Sequence, residues 1–226
     1  MSTPPNQGLP TRAQLAALRR RDPALAAAIK RLPRFPGFPD SAARTRESHF
    51  VSLARAIIYQ QLSGKAAATI FGRACALTPG ASFPRPPEWL ALDPEVVRTC
   101  GISGNKARAL EDLATRAVDG RLGLRAAARA SDETLIERLV AVRGIGVWSA
   151  QMFLMFKLGR LDVLPIGDLG IQEGLRLLDN LDERPTPKQV EVRGAAWRPL
   201  ASVAAWYLWR LTDEKPGAPS RADRQG

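Results

Sequence analysis

Between Val142 and Asp168 the chain reads VRGIGVWSAQMFLMFKLGRLDVLPIGD, and its last residue is the one with chemistry to offer. A carboxylate fixed just past a proline can direct a water, or stabilise positive charge as it develops on a neighbouring carbon. The chain has one histidine, His49, and two cysteines, Cys75 and Cys100. Ser-His-Asp catalysis and histidine-rich metal sites are therefore all but excluded, and acid or base work falls to carboxylates. Asp168 also stands where an Asp would N-cap the run LGIQEGLRLL. The two roles are compatible, because the positive end of a helix keeps a capping carboxylate ionised.

Upstream of that residue, Gly144-Ile145-Gly146 separates two runs with helical period. Two glycines allow a turn tight enough for successive backbone N–H groups to point outward at the start of the next helix, where a phosphate can dock. An ordinary αα-hairpin with a glycine C-cap has the same local pattern. In either case Ile145 plugs the turn into the core. The carbonyls of Val142, Gly144 and Gly146 are a candidate seat for a structural monovalent ion that bridges to phosphate.

The elements that must position these residues are helical. RESHFVSLARAIIYQQL places Phe50, Leu53, Ala54, Ile57, Ile58 and Leu62 on one stripe, Thr11 and Ser131 are good N-caps, and Asp22-Pro23 restarts a helix. Alternating β-branched runs are absent, so the reading is all-α, with roughly ten helices and no internal repeat. Residues 1–10 and 213–226, rich in Pro, Gly and charge, read as flexible tails around a single unit spanning 11–212.

A chain of 226 residues with 45% hydrophobic content can bury a substantial core. The net charge of +11 favours a polyanionic partner, although six lysines against 27 arginines also fit codon bias. Two cysteines fit a reducing compartment, the opening MSTPPNQGLP lacks the form of a signal peptide, and no apolar run approaches a membrane span. An intracellular, cytoplasmic protein of bacterial type, active at the nucleoid and without a membrane partner, is expected.

The order Leu139, Val142, Gly144, Ile145, Gly146, Ala150, then Asp168, resembles the helix-hairpin-helix (HhH-GPD) DNA glycosylase superfamily. The chain is most similar to its 3-methyladenine DNA glycosylase II (AlkA/Mag-like) branch. RAIIYQQLSGKAA (55–67) resembles that branch's duplex-probing loop, GISGNKARALEDLA (101–114) its Gly-x-Ser-x-x-Lys turn, and WRPLASVAAWYLW (197–209) its C-terminal helix. Together the similar stretches cover most of residues 46–210.

The resemblance implies a helix-hairpin-helix glycosylase fold of two helical lobes with a cleft between them, one lobe of about 64–165 and a second of about 11–63 plus 166–212. It implies Asp168 as the catalytic carboxylate, and Trp148, Met152 and Trp209 around the base. An electron-rich ring there would favour a cationic alkylated base, while core packing is the other reading of each tryptophan. Gln60, Gln61, Leu62 and Ser63 form the loop tip, and Gln61, Leu62 and Ser63 are each candidates to fill the hole left by an extruded base. Lys65 and Lys106 are candidate phosphate contacts, with Ser103, Ser149 and the hairpin residues Gly144, Ile145 and Gly146 completing the DNA-binding set.

Trp148 stands where strand-nicking members carry a lysine, so a monofunctional enzyme, acting as a monomer on double-stranded DNA with alkylated bases of the 3-methyladenine and 7-methylguanine type, is implied. No cofactor and no catalytic metal are expected. No cysteines follow Cys100, which excludes the iron-sulfur branches, and GISGNK lacks Walker A spacing. A non-catalytic helix-hairpin-helix DNA-binding protein, and a glycosylase for other damaged or mismatched bases, are the alternatives.

Overall fold

The computed structural model describes residues 8–39 and 47–214, and among them all regular structure is helical. The chain divides into two compact units. One gathers the described residues up to 39 with those from 154 onward, and the other comprises residues 47–153.

In the first unit, α1 (Arg12–Arg21) starts with a capping box between Thr11 and Gln14, and α2 (Pro23–Arg31) starts at Asp22, whose side chain accepts the Leu25 N–H. Asp22 is 2% exposed and also accepts the Trp197 Nε1–H at 2.7 Å and pairs with Arg193 at 2.7 Å. Those contacts tie the elbow between the two helices to α11 (Pro187–Gly194) and to the 3₁₀ turn Ala195–Trp197. Trp197 and Trp206 are buried in the core of this unit.

Two further helices carry the part of this unit that bears Asp168: α10 (Leu169–Leu178) and α12 (Ala201–Asp213). They pack so closely that a Cβ on Gly174 would lie 2.3 Å from the Leu208 carbonyl oxygen. The irregular segment leading to Asp168 is strapped to the start of α12. Buried Ser202 accepts the Val163 N–H and donates to the Val163 carbonyl, while Asp162 accepts the Ala201 N–H.

The second unit holds α3 (His49–Tyr59), α4 (Gly64–Cys75), α5 (Pro86–Leu90), α6 (Pro94–Thr99), α7 (Gly104–Val118), the 3₁₀ turn Leu124–Ala126, α8 (Asp132–Val140) and most of α9 (Val147–Phe156). The stripe Phe50, Leu53, Ala54, Ile57 and Ile58 is buried, and α3 packs on α7 and α4. Phe71, Phe83 and Trp89 stack in sequence at 5.0 and 5.4 Å. His49 is structural: Nδ1 donates to the Leu124 carbonyl at 3.0 Å, and the ring meets Phe153 edge-on.

Two boundaries differ from those expected. Residues 47–63 belong to the middle unit, because the stripe on α3 is buried against α7, and residues from 154 to 165 belong to the other, because they pair with α12. Residues 1–7 and 215–226 of the expected tails lie outside the described residues. Gly8, however, donates to the Gly159 carbonyl at 2.9 Å, and Asp213 ends α12, so the ordered unit extends beyond 11–212. No helix among the described residues is long and apolar enough to cross a membrane.

Candidate active site and DNA-binding elements

Asp168 begins α10 in extended conformation. The turn that delivers it closes when its own N–H donates to the Pro165 carbonyl at 3.0 Å. Gln172, one turn into α10 and buried, braces the same turn by donating from Nε2 to the Ile166 carbonyl at 3.0 Å. Oδ1 of Asp168 accepts the Ile171 N–H and the Trp209 Nε1–H, each at 2.9 Å. The residue is half-buried, and its neighbour Leu169 is 64% exposed.

Trp209, expected beside the base, is 4% exposed and lies nearly parallel to Phe156 at 5.9 Å. Its polar edge is turned to the carboxylate. The cap and the indole contact therefore meet on one oxygen, and together they fix the orientation of Asp168. Cap and candidate catalyst coincide in this residue.

In the middle unit the hairpin is as tight as its glycines predict. Gly144 has φ of +79°, a region L-residues rarely adopt, and a Cβ there would come into contact with Ala109 at 3.4 Å. Ile145 is 4% exposed. The Arg143 N–H donates to Asp112 Oδ2 at 2.8 Å, and Arg116 donates to Oδ1 of the same carboxylate. Partial burial pushes the Asp112 carboxyl up, but these donors outweigh it and hold it below the ordinary range. The carbonyls offered as an ion seat all accept hydrogen bonds: Val142 from Ile145, Gly144 from Gln60 and Gly146 from Ala150.

The loop tip is a turn of type II form, with Gln60 at φ −55° and ψ 129°, and Gln61 at φ 58°. A glutamine in that second position is strained where a glycine would be relaxed. Leu62, 39% exposed, closes the turn through its N–H to the Tyr59 carbonyl, and Gln61, Ser63 and Lys65 are exposed. Gln60 Nε2 reaches the Gly144 carbonyl at 2.9 Å, so it binds the hairpin.

Lys106, expected on phosphate, is half-buried and donates from Nζ to the carbonyls of Ile58 and Gln60 at 2.6 and 2.8 Å. It caps α3, where the carbonyls at a helix end lack intrahelical donors; its burial lowers its pKa. Ser63 and Ser103 are N-caps of α4 and α7. Ser149 is half-buried in the first turn of α9, Met152 is half-buried one turn on, and Trp148 is 51% exposed, which removes the core reading of that ring.

Three contributors escaped the sequence reading. Asp112 and Gln172 sit among helical residues with nothing local to mark them. Gly170 had a signal, since a glycine inside a helix is unfavourable without a packing reason. Its added Cβ would lie 2.9 Å from Trp209 Cδ1 and 3.0 Å from Asp168 Oδ1.

The comparisons with known proteins meet this geometry from the other side. DNA-3-methyladenine glycosylase 1 of Schizosaccharomyces pombe is 37% identical over 185 residues, 81% of this chain and 81% of that protein. A solved structure of an S. pombe 3-methyladenine DNA glycosylase in complex with abasic DNA matches with a TM-score of 0.75 at 32% identity, covering 93% of this chain and 100% of that one. A DNA-3-methyladenine glycosidase from Bacillus halodurans matches at 0.78 and 35% identity, over 87% of each chain. The sequence model of the HhH-GPD superfamily of base excision DNA repair proteins matches residues 54–199, from α3 through the hairpin and Asp168 to the Trp197 turn. An all-helical chain with its glycine hairpin and its helix-capping aspartate inside that match belongs to the HhH-GPD superfamily of base excision DNA repair proteins.

Proposed function

We propose that the protein is a DNA glycosylase that hydrolyses the N-glycosidic bond of alkylated bases, of the 3-methyladenine and 7-methylguanine type, in double-stranded DNA. The observation that carries this is the fixed carboxylate of Asp168 in a chain 37% identical to a 3-methyladenine DNA glycosylase over 81% of its length. An alkylated purine leaves as a neutral base from a cationic nucleoside, so the bond needs little acid assistance. As it breaks, positive charge builds on C1′ and the sugar oxygen, and an ionised carboxylate stabilises that charge. Water adds to C1′, its proton passes to the carboxylate or to solvent, and an abasic site remains.

A base inside a duplex is out of reach of any carboxylate and must be extruded, at a cost of about a few kcal/mol that damage lowers. The exposed Leu62 and Gln61 on a strained turn are suited to fill the gap, and the hairpin amides to hold the backbone. Trp148 cannot form a Schiff base, so the enzyme stops at base removal. It works as a monomer without an organic cofactor or catalytic metal, in the bacterial-type cytoplasm at the nucleoid.

Asp168→Asn tests the assignment. The amide oxygen can still accept both N–H donors, so folding is kept while the charge is lost. Single-turnover release of 7-methylguanine from duplex DNA should fall by about 10² or more. Release near the wild-type rate, with the melting temperature unchanged, would leave a DNA-binding protein in which Asp168 is only a cap.

A further inference from the structure

The two donors on Asp168 are not equivalent in what they say about the reaction. The Ile171 N–H belongs to the helix and would be there for any capping aspartate. The Trp209 indole comes from α12, 41 residues along the chain, and arrives at 2.9 Å only because position 170 has no side chain. A glycine in the first turn of a helix lowers helix stability. Gly170 has no unusual φ to explain it, and a Cβ there would meet Trp209 Cδ1, Trp209 Nε1 and Asp168 Oδ1 at 2.9, 3.2 and 3.0 Å. The contact is therefore kept at the expense of the local helix. The ring itself is 4% exposed with Phe156 nearly parallel to it, an arrangement suited to fixing the N–H and poorly suited to stacking on a base.

A carboxylate oxygen has two in-plane lone pairs. Ile171 and Trp209 both donate to Oδ1, which draws charge to that oxygen and fixes the plane of the carboxylate. We infer that Trp209 is a positioning residue that acts through its N–H to set the orientation of the Asp168 carboxylate, and that Gly170 is the residue that admits it. This rests on Asp168 being the reacting carboxylate.

Three variants test the inference beside Asp168→Asn: Trp209→3-benzothienylalanine, which exchanges the N–H for sulfur in a ring of the same shape, Trp209→Phe, and Gly170→Ala. The readouts are single-turnover release of 7-methylguanine and affinity for a duplex containing a tetrahydrofuran abasic analogue. The benzothienyl chain should melt with the wild type and bind the analogue within about twofold, while its excision rate falls about tenfold or more, as expected for loss of one hydrogen bond to a charged group. Gly170→Ala should fall in the same direction. A benzothienyl variant that excises at the wild-type rate overturns the positioning role, as does one that loses affinity while its rate holds. An active Asp168→Asn instead overturns the catalytic reading beneath it.

Discussion

Gln60 and Gly144, 84 residues apart, are joined by a side-chain amide that donates to a hairpin carbonyl at 2.9 Å. Lys106 holds the Gln60 carbonyl at 2.8 Å from the other side, and Asp112 holds the neighbouring Arg143 amide, so the turn at 59–62 and the hairpin form one hydrogen-bonded piece. Cutting the Gln60 link should let the two move independently. Gln60→Ala is expected to weaken binding to an abasic-analogue duplex by about fivefold, close to the 1 kcal/mol of a typical hydrogen bond. Gln60→Glu, which cannot donate and sets a carboxylate against a carbonyl, should do worse. Fluorescence anisotropy showing both variants at wild-type affinity would dissolve the coupling.

The two lysines once paired as phosphate contacts should separate by experiment. Lys65 is exposed at the start of α4, and Lys65→Met should lower the slope of log affinity against log salt by about one, with stability intact. Lys106→Met leaves the Ile58 and Gln60 carbonyls without their donor. It should lower the melting temperature by several degrees and leave the salt slope nearly where it was. Matching salt titrations of the two variants check this, and a slope change confined to Lys106→Met would reverse the assignment.

Much of this was legible along the chain. Thr11, Asp22, Ser131 and Asp168 were readable as helix starts because a cap bonds within three residues of itself, and each one is a cap in the structure, whereas Ser63 and Ser103, read for DNA contact, are caps as well. The burial of the α3 stripe was equally local. What periodicity could not say was which helix covers that stripe, and this is why residues 47–63 were expected with the wrong neighbours. Lys106 shows the same limit: a lysine after a Gly-x-Ser turn gives no sign that its ammonium ends 46 residues upstream on a carbonyl. The Trp209 ring could be predicted to be buried or to line a site, but that its N–H points at Asp168 depends on the packing of two helices far apart in the chain.

Trp148 gives the simplest chemical prediction. Borohydride reduction during turnover should trap no covalent complex between protein and DNA, because an indole cannot form the imine that a lysine would. The DNA product should remain intact until alkali or heat breaks it at the abasic site. A trapped species on a denaturing gel would require an amine nucleophile elsewhere in the chain.

Asp22 makes part of the first unit's stability sensitive to acid. Burial alone pushes its carboxyl up, but Arg193, the Leu25 amide and the Trp197 indole together bring it below its usual 3.8. Its stabilisation is therefore complete above about pH 4 and is lost as the pH falls through the lowered folded value. Asp22→Asn should melt earlier at pH 7 and show a flatter loss of stability below pH 4. Parallel thermal melts from pH 7 to pH 2.5 would show this, and equal acid slopes in the two proteins would assign that loss to other carboxylates.

The 2.3 Å that a Cβ on Gly174 would leave to the Leu208 carbonyl has a meaning beyond tight packing. Where two helices meet through side chains, each substitution between them alters their spacing by the width of the group exchanged. At Gly174 the gauge is main chain against main chain, which no repacking of neighbouring side chains can thicken or thin. The carboxylate that opens α10 is thus surveyed from a fixed benchmark on α12, and the surrounding residues are free to diverge while its coordinates stay put.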